Sequence, residues 1–430
     1  MQAHGASGPA SGDAEHGYDA PDLRVFVLAL FFIFGGITSL NDVIIPKLKE
    51  LFTLNYAQAL LVQSSFFGAY AIMSIPAAAI VRRVGYMRTA AIGLVAMMAG
   101  CLLFVPASAS AKFSLFLFAL FVLASGITIV QVVANPLISL LGPPKSAHSR
   151  LTFAQAFNSL GTTIFPYVGS IVILGSLARL DVTTLTGAAL NTYRAQETHI
   201  VVVTYLCLAA VLALVASVVW SRRNRLKEEQ VHGNIFQAFH LLSRPRFGIG
   251  CLCIFLYVGA EVAIGSLIVS YLMQPDVLGL SDQAAGKHVP FYWGGALIGR
   301  FIGAYALTRL SPGKVLAAVA AGAILLIAVS ANTSGMVSGW ALLTIGLMNA
   351  IMFPTIFSLA SEGLGKRAAD GSGVIATAIV GGAVIPPLTG HLADISGSLH
   401  FALLLPALCY AAILAYGIYA RHPAPELEAA

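Results

Sequence analysis

Charge is scarce in this sequence. Only 10% of its 430 residues are Asp, Glu, Lys or Arg, against about 25% in soluble domains. Twenty-four basic and 18 acidic side chains cannot cover the surface of a folded chain this long. Cysteine is also rare. The five that occur (Cys101, Cys207, Cys251, Cys253 and Cys409) lie inside apolar runs, and an odd number without CxxC pairs builds neither a disulfide framework nor a metal site. No phosphate loop is present, because the candidates ending Gly286-Lys287 and Gly365-Lys366 lack the leading glycine. HExxH and GxSxG are missing too, so no enzyme chemistry, cofactor or metal is expected. Residues 1–23 are polar and acidic, without the basic start and apolar core of a cleaved leader. The first apolar run is expected to serve as an uncleaved insertion signal.

What is abundant is apolar. Hydrophobic residues make up 58% of the chain, glycine adds 41 more positions, and the mean hydropathy is +0.85. These values belong to a chain embedded in a lipid bilayer, its first expected partner. The net charge of +6 sits in short clusters between apolar runs rather than on one face. That distribution argues against a nucleic-acid partner and for membrane topology signals.

A helix needs about 20 apolar residues to cross the bilayer core. Twelve such runs occur, near 25–45, 56–81, 89–107, 113–141, 151–175, 198–220, 247–273, 289–308, 315–331, 336–360, 371–393 and 399–420. They do not alternate with period two, which excludes a transmembrane barrel. With the N-terminus placed inside, 17 of the 24 Lys and Arg fall in inner segments and six in outer loops, leaving Arg300 within a span. This bias predicts twelve helices with both termini cytoplasmic. The expected organisation is a cytoplasmic tail over 1–23, a six-helix bundle over 24–220, a basic linker over 221–246, a second bundle over 247–421, and a tail over 422–430.

The two halves echo one another. Asn135-Pro136 running through Lys145 and Arg150 to Pro166 is matched about 220 residues later by Phe353-Pro354 running through Lys366 and Arg367 to Pro386. The turn Arg82-Arg83-Val84-Gly85-Tyr86-Met87-Arg88 has its partner in Arg309-Leu310-Ser311-Pro312-Gly313-Lys314, although no acid accompanies Arg82 and Arg83. Two parallel six-helix repeats around a central loop are the layout of a secondary transporter.

Ionisable groups at membrane depth are expensive and mark function. Two acids sit well within apolar runs: Asp42, about 27 Å along its helix from Arg24, and Glu261, about 22 Å from Arg246. A carboxyl removed from water takes up a proton readily, and a polar ligand or counter-charge reverses this. Both are therefore candidates for proton coupling. An interfacial acid is the plainer role for Asp42, and a structural hydrogen bond the plainer one for Glu261. Arg300 is expected to make a gate contact or to snorkel rather than to anchor an anion.

Uncharged polar residues gather at helical spacing. Thr128, Gln131 and Asn135 share one face of the fourth run, and Gln155, Asn158 and Thr162 one face of the fifth. Asn349 lies in the tenth. Amides donate and accept, which suits a neutral polyol. Tyr257, Tyr292 and Trp293 offer faces for a sugar's C–H groups. Helix–helix hydrogen bonding is the competing use of the same groups.

Several stretches resemble a known family. Thr38-Ser39-Leu40-Asn41-Asp42-Val43-Ile44-Ile45-Pro46, Ala134-Asn135-Pro136 and Ala154-Gln155-Ala156-Phe157-Asn158-Ser159-Leu160-Gly161 are similar to the fucose–galactose–glucose:proton symporters of the major facilitator superfamily. So are Tyr257-Val258-Gly259-Ala260-Glu261 and Phe353-Pro354-Thr355-Ile356-Phe357-Ser358-Leu359. The resemblance implies an all-α membrane protein with the major facilitator fold, and sugar uptake across a bacterial inner membrane by proton symport. It implies Asp42 as a protonatable group and Gln155 and Asn158 as neighbours of the sugar. The L-fucose permease branch carries glutamate at Gln131 and glutamine at Glu261, so this pair is more similar to the glucose/galactose branch.

The expected protein is a proton-coupled hexose importer, functional as a monomer. Asp42 and Glu261 carry the proton, and Gln131, Asn135, Gln155, Asn158, Asn349, Tyr257 and Trp293 contact the sugar. A sugar uniporter, or an antiporter of drugs or metabolites, is the alternative. A membrane sensor would need a soluble signalling segment, and no loop is long enough to form one.

Overall fold

The computed structural model describes residues 21–52, 56–110, 112–169, 187–224 and 235–422. Both expected tails, apart from a few residues, and the middle of the linker lie outside the described residues. So does the side chain of Asp42, although its backbone is helical.

Among the described residues every long element is a helix, as an apolar medium requires: a helix satisfies its own backbone N–H and C=O groups. The first half contains α1 (Pro21–Leu51), α2 (Tyr56–Val84), α3 (Tyr86–Ser110), α4 (Phe113–Leu140), α5 (Ala147–Gly169) and α6 (Gly187–Ser221). A 3-10 stretch, Ile235–Ser243, leads into the second half. There follow α7 (Pro245–Leu272), the short α8 (Asp282–Gly286), α9 (Val289–Ala306), α10 (Pro312–Asn332), α11 (Gly335–Asn349) and α12 (Met352–Ser361). The chain ends with α13 (Ala368–Ala378), α14 (Gly381–Ser396), α15 (Leu399–Ala402) and α16 (Leu404–Tyr419).

Twelve crossings result, because α11 with α12, α13 with α14, and α15 with α16 each make one interrupted span. The interruption between α11 and α12 has a local cause. Pro354 has no N–H for the carbonyl of Ala350, four residues back, so the ladder cannot run straight through. Ten crossings are long and apolar enough to span a membrane on their own composition. The other two are α5 and α9. They carry Gln155, Asn158 and Arg300, and they pack against each other across the two halves.

Within the first half α3 packs on α4 and α6, α1 on α5, and α2 on α4; within the second, α7 packs on α14 and α16, and α10 on α11 and α16. Lipid supplies no hydrophobic drive for these contacts, so close packing of small residues does. At Gly100 a Cβ would stand 2.5 Å from the backbone nitrogen of Leu123 and 2.6 Å from its Cα. Only glycine lets α3 approach α4 this closely.

The halves meet along α2–α13, α4–α13, α5–α9 and α5–α12, and polar contacts between them gather at the end of the bundle that carries the basic loops. Arg82 pairs with Asp370 at 3.0 Å, and Arg367 approaches the same carboxylate at 3.6 Å. His148 Nε2 lies 3.0 Å from Glu362, which Arg246 also binds. The basic turn that lacks an acid in its own half therefore takes one from the other half.

Gly100→Val should destabilise the protein by about 1–3 kcal/mol, the usual penalty for overpacking. A lower unfolding midpoint in detergent is the expected observation. An unchanged midpoint would mean that α3 and α4 are not packed this tightly.

Candidate functional site

The site is built from broken or proline-bearing helices, because there the backbone has groups to spare. Pro354 leaves the Ala350 carbonyl without its helical partner. Arg300 Nε donates to that oxygen at 3.2 Å. One residue earlier, the Asn349 carbonyl accepts from the Tyr257 hydroxyl at 3.0 Å. The same device recurs in the first half: Pro136 frees the Val132 carbonyl, and Ser372 on α13 donates to it at 2.8 Å.

Glu261 stands among tyrosines. Tyr257, one turn earlier on α7, places its hydroxyl 2.7 Å from Glu261 Oε1, so its single proton is shared between that oxygen and the Asn349 carbonyl. The Tyr292 hydroxyl reaches the Glu261 backbone carbonyl at 3.3 Å. Asn349 ties this cage together: its Nδ2 donates to the Tyr292 oxygen at 2.7 Å, and its Oδ1 accepts from Tyr410 at 2.7 Å. Asn349, Tyr292 and Tyr410 are fully buried, whereas Glu261 keeps some exposure. Gly346 makes the arrangement possible, since a Cβ there would lie 2.8 Å from the Tyr292 carbonyl carbon. Without it α11 could not bring Asn349 up to Tyr292.

Trp293 leans on α7 beside Gly265, one turn beyond Glu261 on the same face. Its ring meets Tyr292 edge-on at 5.1 Å and is 45% exposed. It is thus the open aromatic of this group, while Tyr257 is enclosed.

In the first half the amides form a second polar face. Tyr70 on α2 donates to Gln131 Oε1 at 2.7 Å, which leaves the Gln131 N–H₂ as its donor end. Gln155 Nε2 lies 3.4 Å from Asn135 Oδ1, and Asn158 Nδ2 donates to the Phe31 carbonyl at 3.3 Å. Gln155 and Asn158 therefore keep their oxygens as acceptors. Gly161 sets this register: a Cβ there would come within 2.8 Å of Gly36 N, so α5 lies directly on α1.

Arg300 joins the two faces. From α9 it donates to the Gln155 carbonyl at 2.9 Å and to the Ser159 hydroxyl, both on α5. It also holds the Ala350 carbonyl, next to the Asn349 carbonyl that Tyr257 reaches, which sets it at the edge of the Glu261 cage. Of the two uses the sequence leaves open for Arg300, a gate contact or snorkelling, the structure shows a contact between the halves. Sequence reasoning did not find Tyr70 or Tyr410, since a lone tyrosine in an apolar run carries no signal of its partner. Nor does the sequence single out Asp370 or Glu362. Their one signal was proximity to Lys366 and Arg367, in the part of the repeat that matches Lys145 and Arg150.

The chain as a whole is similar to known proteins. The sequence model described as Major Facilitator Superfamily matches residues 26–387. A protein named glucose/galactose transporter from Brucella abortus (biovar 1, strain 9-941) is 45% identical over 389 residues, covering 90% of this chain and 92% of the relative. The L-fucose-proton symporter of Escherichia coli (strain K12) is 32% identical over 418 residues, covering 94% of each chain. The crystal structure of a major facilitator transporter, FucP, in the outward conformation superposes with a TM-score of 0.84 at 32% identity, covering 93% of this chain and 98% of that one.

Asn349→Ala should strand the buried Tyr410 hydroxyl and remove a donor from Tyr292, and an unpaired buried polar group costs about 1–3 kcal/mol. The unfolding midpoint should fall clearly, whereas Trp293→Ala, at an exposed position, should leave it nearly unchanged. Equal midpoints for the two variants would count against the tyrosine cage.

Proposed function

Because the chain belongs to the Major Facilitator Superfamily, we propose that it is a secondary transporter importing a neutral hexose together with protons. It is a transporter rather than an enzyme. The observation that carries the proton step is the Glu261 carboxylate, half-buried at membrane depth and hydrogen-bonded by Tyr257. An acid so placed exchanges its proton as its surroundings change. Asp42, on the first helix of the other half, is the second proposed proton carrier. The relatives named for glucose/galactose transport and L-fucose–proton symport support sugar as the co-substrate. Glutamine at 131 and glutamate at 261 favour a glucose- or galactose-like hexose.

Sugar hydroxyls both donate and accept, so their site needs both kinds of partner. Gln131 supplies donors; Gln155 and Asn158 supply acceptors; Asn135 and Asn349 hold these groups and the tyrosines in register. Trp293 and Tyr257 line the aromatic side. The basic loops, with 17 of 24 cationic residues on one side, support both termini in the cytoplasm of a bacterial cell whose inner membrane the chain spans. The ion pairs of Arg82 and His148 would then close the cytoplasmic end, and the described conformation faces outward. One polypeptide holds the complete constellation, which supports function as a monomer. In the cycle that follows, proton and sugar enter from outside, the halves rock about the site, and both leave inside.

Two measurements in proteoliposomes test this. Glu261→Gln should abolish accumulation driven by a pH gradient while leaving sugar counterflow; accumulation at the wild-type level would remove Glu261 from coupling. Asn158→Ala should raise the half-saturating hexose concentration about tenfold, equivalent to about 1.4 kcal/mol. Counterflow with glucose, galactose and L-fucose identifies the preferred sugar.

A further inference from the structure

Arg300 stands apart from the other basic residues because it alone lies deep within a span. A guanidinium stays charged even there, and a charge at that depth must be compensated. In the described conformation neutral acceptors do this. They are the Ala350 carbonyl on its own half, and the Gln155 carbonyl and Ser159 hydroxyl on the other. The Ala350 acceptor exists because Pro354 cannot use it, and it moves with Arg300. The two α5 acceptors do not. When the α5–α9 seam opens, Arg300 loses them.

Among the described residues, the groups around Glu261 are few. Tyr257 on its own helix bridges its carboxylate and the Asn349 carbonyl, Arg300 on α9 holds the adjacent Ala350 carbonyl, Tyr292 on α9 holds its backbone carbonyl, and Tyr410 on α16 reaches Asn349. Arg300 is the one cation among them. An ionised Glu261 is therefore the compensating partner within reach once α5 withdraws, whereas a protonated Glu261 cannot serve.

We propose that Arg300 is the positioning residue that couples proton release from Glu261 to opening of the α5–α9 seam. With the seam closed, Arg300 is seated on α5 and Glu261 is free to hold its proton. With the seam open, Arg300 turns to Glu261, and the proton leaves toward the newly opened side. The proton that Glu261 binds on one side is thus discharged on the other. This role presupposes that Glu261 carries the transported proton.

The test uses the full chain, with its five cysteines replaced, in lipid nanodiscs. Spin labels at Lys145 and Leu310, both exposed near the ends of α5 and α9, report whether the seam is closed. Glu261→Gln, which mimics the protonated acid, should raise the ratio of closed to open seam by on the order of 5- to 150-fold, the usual range for coupled sites. Arg300→Gln should erase that response, and Arg300→Lys, which keeps the charge, should retain it. A response of equal size in Arg300→Gln overturns the proposal. If Arg300→Gln does not fold, Ser159→Ala serves instead. It removes an α5 acceptor and should lower the closed fraction, and an unchanged distance distribution would overturn the proposal equally. Accumulation assays separate the two levels. Normal accumulation by Glu261→Gln would reject Glu261 as the proton carrier. Lost accumulation, with the distance response intact in Arg300→Gln, would reject only the role of Arg300.

Discussion

In a bilayer, each main-chain polar group that leaves its helix ladder must find a partner within the protein. The rest of this structure follows from how that demand is met at two prolines. Pro136 and Pro354 occupy matching places in the two halves, and each releases one carbonyl, that of Val132 or Ala350. Ser372 takes the first and Arg300 the second. The first contact joins the halves directly. The second holds the arginine that reaches α5. Two sites of weakened helix thus become the points where one half is fastened to the other.

The scarcity of charge gives the remaining charges their weight. Near the basic loops, Asp370 and Glu362 draw Arg82, Arg367, His148 and Arg246 into pairs that close one end of the bundle. Deeper in, Glu261 and Arg300 are each held by neutral partners, the acid by the Tyr257 hydroxyl and the cation by the Ala350 and Gln155 carbonyls and the Ser159 hydroxyl. The tyrosines around them donate hydroxyls without adding charge. Asn349, buried at the centre of that cage, fixes three helices by using both ends of its amide.

Much of the fold is legible in the sequence, because length and hydropathy set where a helix can cross and the placement of Lys and Arg sets its direction. The breaks inside the tenth and eleventh crossings are less so. Pro354 announces the first, but the stretch between Ala378 and Gly381 differs little in composition from the helix around it. The candidate site is legible as a set of residue types: a carboxylate at depth, and amides spaced along one helix face. Their division of labour is not. Gln131, Gln155 and Asn349 look alike in sequence, yet Asn349 spends its amide on two tyrosines while Gln155 offers a backbone carbonyl to Arg300.

The sequence by itself determined twelve apolar crossings, a repeat of two halves, and a short list of polar residues placed in lipid at evident expense. These depend on local composition and spacing, which a chain carries whether folded or not. Only the tertiary structure decided which acid answers Arg82, which carbonyls answer Arg300, and which amide ends are spent on neighbouring helices. Each of those pairings joins residues far apart along the chain, most of them on opposite halves, and each depends on ångström-scale approaches that glycines such as Gly161 and Gly346 permit.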